Sequence, residues 1–185
     1  MSRFSTPEID SVPQESQEML QQLQDKLGFV PNIYASLGRS PIALKIALQT
    51  NEMLQNGEFT KKEIQAIYLA TSERNGCTYC ASAHTALAKQ LGFSEDETLA
   101  LRGGSSGDAK LQAITQLARS VLDSGGHVPE SLIDQFFEAG YSERALTELL
   151  ALVATKSLSN YAHGVFNFDI DFPKAEQLQE NAEIA

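Results

Sequence analysis

The sequence predicts an all-α fold, arranged as a single-domain bundle of many helices. Apolar residues recur at helical spacing almost from end to end, and no stretch of convincing length alternates as a β-strand does. Two segments, Thr60–Glu63 and Ser94–Glu97, read as capping boxes, in which side chains satisfy backbone amides at the start of a helix. At 185 residues the chain can bury a substantial core without disulfides or metal.

Composition sets the domain boundaries. Residues 1–13 are polar and contain Pro7 and Pro13, which predicts an extended arm. Residues 14–173 carry the helical pattern and are expected to form the one domain. Residues 174–185 are polar and acidic, and we expect a frayed tail there.

Three helices are predicted before the first capping box. One covers 15–26, and a short one follows Pro31. Ser40-Pro41 is a cap with proline at the first helical position, and it opens a helix that runs to about Asn56. The predicted apolar stripe of this third helix is Ile42, Ile46, Thr50 and Met53.

The cysteines of the chain stand together at the start of a core helix. The helix that opens at the first capping box is interrupted by Asn75-Gly76, and the next helix begins directly with Cys77 and Cys80. These cysteines and His84 are spaced three and four apart, so they lie along one face, because a helix turns about 100° per residue. That face also carries the apolar residues of the helix, so the reactive face is predicted to be buried.

The second half of the chain adds four helices. They begin at the second capping box, after the glycine-rich run 103–107, at Pro129 and at Ser142. The last has the strongest amphipathic pattern and is predicted to be core. Its stripe is Leu146, Leu149, Leu150, Val153, Ala154, Leu158 and Tyr161.

Charge and hydropathy exclude several classes of partner. The net charge is −10 and the sequence has no Lys/Arg cluster, which argues against nucleic acid and against anionic membrane surfaces. No apolar run approaches the roughly 18 residues that a membrane span needs, and the N-terminus lacks a signal-like apolar segment. We therefore expect a cytoplasmic protein, in which a lone C-x-x-C is more often catalytic or metal-binding than a structural staple.

The C-x-x-C-x-x-x-H spacing favours thiol redox chemistry. The helix dipole favours a thiolate at Cys77, whereas His84 lies one turn from Cys80. We choose Cys80 as the attacking residue, because a side-chain base can remove its proton and a dipole cannot. A peroxide would oxidise Cys80 to a sulfenic acid, Cys77 would trap it as a disulfide, and an external dithiol would reset the pair.

Other readings of the same residues stay open. Zinc would have Cys77, Cys80 and His84 as ligands with His163 or Glu73 as a fourth, but the sequence contains no second C-x-x-C or H-x-x-x-H, and we predict no metal. A non-catalytic redox sensor or metal clip that binds a partner protein is the alternative class. A lyase that acts on a lactone acid is the third.

The run from Asn75 to His84, followed by Leu91-Gly92-Phe93, resembles the alkylhydroperoxidase D-like, or carboxymuconolactone decarboxylase-like, superfamily, and it looks closest to the peroxidase-related members. The resemblance extends to 139–142, 160–163 and 171–173 and so covers about residues 20–173. It implies an all-helical homo-oligomer that reduces hydroperoxides without an organic cofactor and is recharged by an external dithiol or protein reductant.

The resemblance also implies roles for the site residues. Cys80 would react with peroxide, His84 would assist it and Cys77 would resolve the intermediate. The family's best-understood branch has a relay glutamate where this chain has Gln65, and an amide cannot shuttle a proton as a carboxylate does. We therefore predict Glu73, four residues before Cys77, as the substitute relay acid.

Two further side chains are predicted around the site. The same branch has a histidine just before its second cysteine, where this chain has Tyr79, which we expect to pack. His163 lies on a polar edge of the last core helix, and it is expected either to face the site or to form a hydrogen bond at a helix interface. With Gln65, these residues form the predicted second layer of the site.

Overall fold

A computed structural model describes residues 4–178, and within that range the regular structure is nine α-helices and one short 3-10 helix, with no strand. The elements are the 3-10 helix Ile9–Ser11, α1 (Gln14–Leu27), α2 (Asn32–Leu37), α3 (Pro41–Leu54), α4 (Lys61–Arg74), α5 (Thr78–Gln90), α6 (Glu95–Gly103), α7 (Ala109–Ser124), α8 (Glu130–Glu138) and α9 (Glu143–Phe166). The predicted all-α fold is confirmed. Each helix in this range is too short or too polar to span a lipid bilayer.

Helix α4 is the centre of the bundle. It begins at the predicted capping box, where Thr60 Oγ1 accepts from the Glu63 amide and Glu63 accepts in return from the Thr60 amide. Helices α5, α6, α7 and α9 all pack against it. Every residue from Ile64 to Ser72 is buried, so α4 supplies side chains to both sides of the fold.

The core has two parts, and the cysteines belong to the smaller one. The larger cluster joins α4 to α7, α8 and the first half of α9 around Ile67, Leu117 and Leu149. The smaller cluster joins α1, α2 and α3 to the start of α5 and to the C-terminal segment, and it contains Cys77 and Cys80. The cysteines therefore lie where the N-terminal helices, α5 and the end of α9 meet.

The predicted stripe of α3 is wrong. Ile42, Ile46 and Met53 are 72%, 52% and 65% exposed, whereas Leu44 and Ala47 are buried. Apolar residues occur on two sides of this helix, and α1, α2 and α9 pack against the Leu44 side. The structure therefore leaves an apolar strip of α3 uncovered.

The predicted stripe of α9 is only partly correct. Leu149 and Val153 are buried as expected, but Leu150 and Tyr161 are 45% and 60% exposed. The buried face is rotated toward a set of residues that includes several polar side chains. That face consists of Ala145, Leu149, Leu152, Val153, Lys156, Ser157, Ser159, Asn160 and Ala162.

The two ends of the described chain pack onto the bundle. The predicted arm is not extended throughout, because Ile9–Ser11 forms a 3-10 turn and Val12 is buried in the smaller core cluster. After α9 the chain crosses to α2, where the Asn32 amide donates to Asp171 Oδ2 at 2.7 Å. Of the predicted polar tail, residues 174–178 are described and carry no helix, and residues 179–185 lie outside the described residues.

Candidate active site

The break between α4 and α5 places the first cysteine at a helix start. Gly76 adopts φ +65°, a left-handed conformation that favours glycine, and the Cys77 amide bonds back to Ser72 O at 2.9 Å. Cys77 is the N-cap of α5, and its sulfur accepts a hydrogen bond from the Cys80 amide at 3.3 Å. The Cys77 sulfur therefore lies at the positive end of the helix dipole.

The two cysteines form a buried pair of free thiols. Cys77 and Cys80 are 4% and 3% exposed, and neither is in a disulfide. The two sulfurs lie close enough to shift each other's pKa, with the Cys77 thiol as the hydrogen donor of the pair. The structure thus brings together the two sulfurs that the sequence predicts to react with each other.

A buried lysine, which the sequence analysis missed, adjoins this pair. Lys156 on α9 is 6% exposed, and its charge interacts with both sulfurs. Its ammonium lies 4.3 Å from the centre of the Tyr68 ring, which supplies a cation–π contact. A signal for it exists in the sequence, because Val153, Lys156 and Asn160 repeat at helical spacing on the helix with the strongest apolar pattern.

This environment gives the two thiols different pKa values. Hydrogen bonding from Cys77, the positive charge of Lys156 and a hydrogen bond from Asn160 together lower the pKa of Cys80 from 9.0 to about 7, against the opposing effect of burial. The bond to Cys80 and burial raise the pKa of Cys77. Cys80 is therefore about half ionised at pH 7, and Cys77 keeps its proton.

Asn160 also ties α9 to the break before α5. Its Oδ1 accepts from Asn75 Nδ2 at 2.9 Å, and its Nδ2 donates to Ser72 Oγ at 3.3 Å. Asn160 also favours the ionised form of each cysteine, which lowers the pKa of both thiols. This one buried amide therefore holds the end of α4, α9 and the sulfur pair in register.

His84 is bound to Gln65. Its Nδ1 lies 2.8 Å from Gln65 Oε1, and since that oxygen can only accept, the proton is on Nδ1 and Nε2 is free as a base. Burial and the charge of Lys156 hold the pKa of His84 well below 6.5, so the imidazole is neutral at pH 7. Within residues 4–178, no hydrogen bond joins His84 to either sulfur.

The structure does not join Glu73 to His84, contrary to the predicted relay. Gln65 and Glu73 are eight residues apart on α4, which places them about 80° apart around the helix. Gln65 faces α5, whereas Glu73 accepts a hydrogen bond from Arg102 Nε of α6 at 2.7 Å. Glu73 is thus the counter-charge of a buried arginine.

We expect Glu73→Gln to change stability and to leave the cysteine chemistry nearly intact. The Arg102 side chain is only 5% exposed, so losing its anionic partner should lower the free energy of unfolding by about 2 kcal/mol, allowing for the partial exposure of Glu73. Urea unfolding measures the loss, and absorbance at 240 nm measures the Cys80 thiolate.

The matched control for this variant is Glu95→Gln, which breaks the exposed Lys89–Glu95 pair. It should change the free energy of unfolding by about 0.5 kcal/mol or less. A large rise in the pKa of Cys80 in Glu73→Gln, without loss of stability, would restore Glu73 to the proton relay.

Tyr79 and His163 pack with the C-terminal segment. Their rings stack with centroids 5.4 Å apart, and Phe168 and Phe172 meet Tyr79 edge-on at 4.8 and 5.7 Å. The Tyr79 hydroxyl accepts from the Ile33 amide at 3.4 Å. These aromatic residues therefore fasten the chain after α9 against α2 and α5, which is the packing role expected for Tyr79.

A cleft reaches the Cys77 side of the sulfur pair. This open cleft of about 720 Å³ is lined by Cys77, by residues of α4, α5, α6 and α7 and by residues 177–178, and Cys80 is not among its lining residues. Cys77 therefore lies between the cleft and Cys80. Among residues 4–178, no three His, Cys, Asp or Glu side chains gather into a set that would hold a metal ion.

Comparison with known proteins agrees with this arrangement. Residues 44–123, which include both cysteines and His84, match the carboxymuconolactone decarboxylase family. No curated protein matches the chain.

Solved structures match over almost the whole chain. An alkylhydroperoxidase AhpD core, an uncharacterized peroxidase-related protein from Ralstonia eutropha JMP134, superposes with a TM-score of 0.81 at 24% identity over 92% of each chain. A peroxidase-related protein from Silicibacter sp. TM1040 gives 0.79 at 21% identity over 96% of each chain. A variant of the debrominase Bmp8 in complex with 2,3,4-tribromopyrrole gives 0.76 at 19% identity over 92% of each chain.

These matches agree with the predicted resemblance: the chain has the alkylhydroperoxidase D-like fold, and residues 44–123 match the carboxymuconolactone decarboxylase family.

Proposed function

We propose that the protein is a thiol peroxidase that reduces hydroperoxides through a reversible Cys77–Cys80 disulfide. The observation that carries the proposal is the buried sulfur pair beside Lys156, in which one thiol has its pKa lowered to about 7 and the other keeps its proton. A nucleophile and a resolving thiol on one helix turn are what a two-cysteine peroxidase needs. The peroxidase-related structural neighbours support the same conclusion.

The first step is attack by the Cys80 thiolate on a peroxide oxygen. The O–O bond breaks, Cys80 becomes a sulfenic acid, and the second oxygen leaves as an alkoxide that takes up a proton to give an alcohol. The Lys156 ammonium is close to the sulfurs and stabilises the negative charge as it moves from sulfur to oxygen. In the second step the Cys77 sulfur attacks Cys80, a disulfide forms, and the sulfenic oxygen leaves as water with the Cys77 proton.

His84 fits a supporting role in this cycle. Its Nδ1–H is fixed on Gln65, so only Nε2 is free to accept a proton, and the neutral ring does not compete with Lys156 as a charge. The i, i+4 spacing puts it one turn from Cys80 on α5. We propose that His84 accepts the Cys77 proton during resolution and passes it to the sulfenic oxygen, which leaves as water.

The rate of peroxide reduction should rise with pH through about 7. The pKa of Cys80 is lowered to about 7, so the thiolate fraction grows from about one tenth at pH 6 to about nine tenths at pH 8. His84 stays neutral across this range, because its pKa is well below 6.5. Its titration therefore adds no second inflection to the pH–rate profile. Stopped-flow rates with hydrogen peroxide from pH 5.5 to 8.5 check the profile, and a rate that falls over this range would contradict it.

A coupled assay tests the proposed function. Purified protein with hydrogen peroxide or an alkyl hydroperoxide and a dithiol reductant should consume peroxide over many turnovers. Absence of turnover with every hydroperoxide, while the thiols remain titratable, would reject the peroxidase. A metal ion that copurifies with the protein, bound to the cysteines, would instead favour a non-catalytic metal-binding protein.

A second candidate is reductive dehalogenation, which the similarity to the debrominase Bmp8 favours. The same dithiol would supply two electrons, so that a carbon–bromine bond is replaced by carbon–hydrogen and bromide leaves while the disulfide forms. Bromide release from a brominated pyrrole, with loss of two thiols per bromide, would select this activity over peroxide reduction.

We also propose that the chain assembles with copies of itself. The exposed apolar strip of α3, formed by Ile42, Ile46 and Met53, supports this proposal, and exposed Tyr161 and Val165 on α9 add to it. Light scattering on the purified protein measures the assembly.

A further inference from the structure

We propose that the cleft beside Cys77 binds an anionic thiol, which reduces the Cys77–Cys80 disulfide by attacking the Cys77 sulfur. This inference rests on the proposed redox cycle and adds the class of reductant and the sulfur that the reductant attacks. The reductant's negative charge would lie on its carboxylates, because these match the guanidinium groups that line the cleft.

The cleft concentrates positive charge in an acidic protein. The chain carries a net charge of −10, yet three arginines line the same cleft of about 720 Å³ as Cys77. They are Arg74 from α4, Arg102 from α6 and Arg119 from α7. Of the charged lining residues only Glu73 is negative, so positive charge prevails, and such a cleft raises the local concentration of anionic ligands.

One of these arginines has no carboxylate partner. Arg74 pairs with Asp123, and Arg102 pairs with Glu73. Arg119 instead donates from Nη1 to the Arg102 carbonyl oxygen at 2.7 Å, and within residues 4–178 no carboxylate pairs with it. Among the described residues, three guanidinium groups against two carboxylates leave one positive charge for a ligand.

The chain makes a specific place for Arg119. Gly104 follows α6 with φ +82°, and a Cβ at this position would lie 2.6 Å from Arg119 Cδ. Only glycine avoids that contact and this backbone strain together. The close approach holds the Arg119 side chain against the end of α6, on the wall of the cleft.

The geometry selects Cys77 as the sulfur that the reductant reaches. Cys77 lines the cleft and Cys80 does not. When a thiolate attacks Cys77 in the disulfide, the S–S bond breaks and its electron pair leaves on Cys80. Cys80 is the better leaving group, since a thiol with a lowered pKa leaves faster.

The electrons balance with two equivalents of thiol. The first thiolate forms a mixed disulfide with Cys77 and releases Cys80 as a thiolate. The second attacks the sulfur of the bound reductant, so that the reductant leaves as its own disulfide and Cys77 takes up a proton. The protein returns to its dithiol form, ready for a peroxide.

Reduction of the pre-formed disulfide by matched thiols tests the proposal. The full chain is oxidised with diamide, so no peroxide activity is needed, and then reduced with 3-mercaptopropionate, 2-mercaptoethanol or cysteamine, with rates expressed per thiolate. We expect the carboxylated thiol to react about fivefold faster than the neutral one at low salt and the cationic thiol to be slowest.

Charge variants test which arginines cause the preference for the anionic thiol. Arg119→Gln should reduce the advantage of 3-mercaptopropionate to about twofold or less, and Arg119→Lys, which keeps the charge, should retain most of it. Arg74→Gln, at a half-exposed side chain, tests the cleft if the first variant does not fold. Arg144→Gln is the matched control, because it removes an equal charge from an exposed site on α9 and should leave the preference unchanged.

Two results would overturn the proposal. One is equal rates for the anionic and neutral thiols in the wild-type protein, and the other is a preference that persists in both Arg119→Gln and Arg74→Gln. Acid-quenched mixed disulfide should map to Cys77 by peptide mass spectrometry, and an adduct on Cys80 would reject the assigned sulfur. Selectivity for the anionic thiol without peroxide turnover would reject only the proposed peroxidase activity. Peroxide turnover without this selectivity would reject only the proposed binding of an anionic thiol in the cleft.

Discussion

Replacing Cys80 with serine is expected to abolish peroxide consumption. Cys80 is the thiol that ionises near neutral pH, because hydrogen bonding from Cys77 and the charge of Lys156 lower its pKa to about 7. Burial disfavours the Cys77 thiolate, and this effect persists when the Cys80 sulfur is removed, so in Cys80→Ser the remaining thiol is protonated and barely nucleophilic at pH 7. Hydrogen peroxide consumption, followed at one equivalent per chain, should fall to the rate of buffer alone.

The matched variant Cys77→Ser should behave differently. It keeps the nucleophile but loses the resolving thiol, so it should consume one equivalent of peroxide and stop as a sulfenic acid. Dimedone labelling and mass spectrometry detect that species on Cys80. The reverse pattern, with a labelled Cys77 in Cys80→Ser and no reaction in Cys77→Ser, would make Cys77 the attacking residue.

Lys156→Met is expected to raise the pKa of Cys80 toward its ordinary value of 9.0. The direction follows from charge, since removing a nearby cation destabilises the thiolate. The hydrogen bond from Cys77 remains, so part of the lowering persists; a rise of the pKa by about one unit would reduce the thiolate fraction at pH 7 from about one half to about one tenth. The more basic thiolate is about threefold more nucleophilic, so the rate at pH 7 should fall about twofold.

Thiolate absorbance at 240 nm across a pH titration measures this shift directly. The lost rate should return as the pH is raised toward 9, which separates an electrostatic effect from misfolding. Lys110→Met removes an exposed lysine from the start of α7 and should leave the pKa of Cys80 unchanged. An unaltered thiol titration in Lys156→Met would remove Lys156 from the site.

Local signals in the sequence predicted the elements that position the cysteines. The capping box at Thr60 marks the start of α4, and Gly76 marks the break before α5, because each feature depends on neighbouring residues alone. The i, i+3, i+4 spacing likewise placed Cys77, Cys80 and His84 on one buried face. These features needed no knowledge of which helices pack together.

The sequence did not predict which helix faces are buried or which distant residues pair, because both depend on how the helices pack together. Helix α3 has apolar residues on two sides, and the packing of α1, α2 and α9 decides which side is buried. Lys156 is buried where its charge interacts with two sulfurs and its ammonium lies over the Tyr68 ring, and these groups come from other parts of the chain. Glu73 was assigned to the relay from its sequence position near Cys77, but its direction around α4 leads to Arg102.

Thiol counting on the wild-type protein tests the central claim most directly. One equivalent of hydrogen peroxide added to the fully reduced protein should remove both thiols of each chain, lower the mass by about 2 Da and link Cys77 to Cys80 within one chain. A dithiol reductant should restore both thiols. Two thiols that persist in peroxide, or a disulfide that joins different chains, would contradict the reversible Cys77–Cys80 pair.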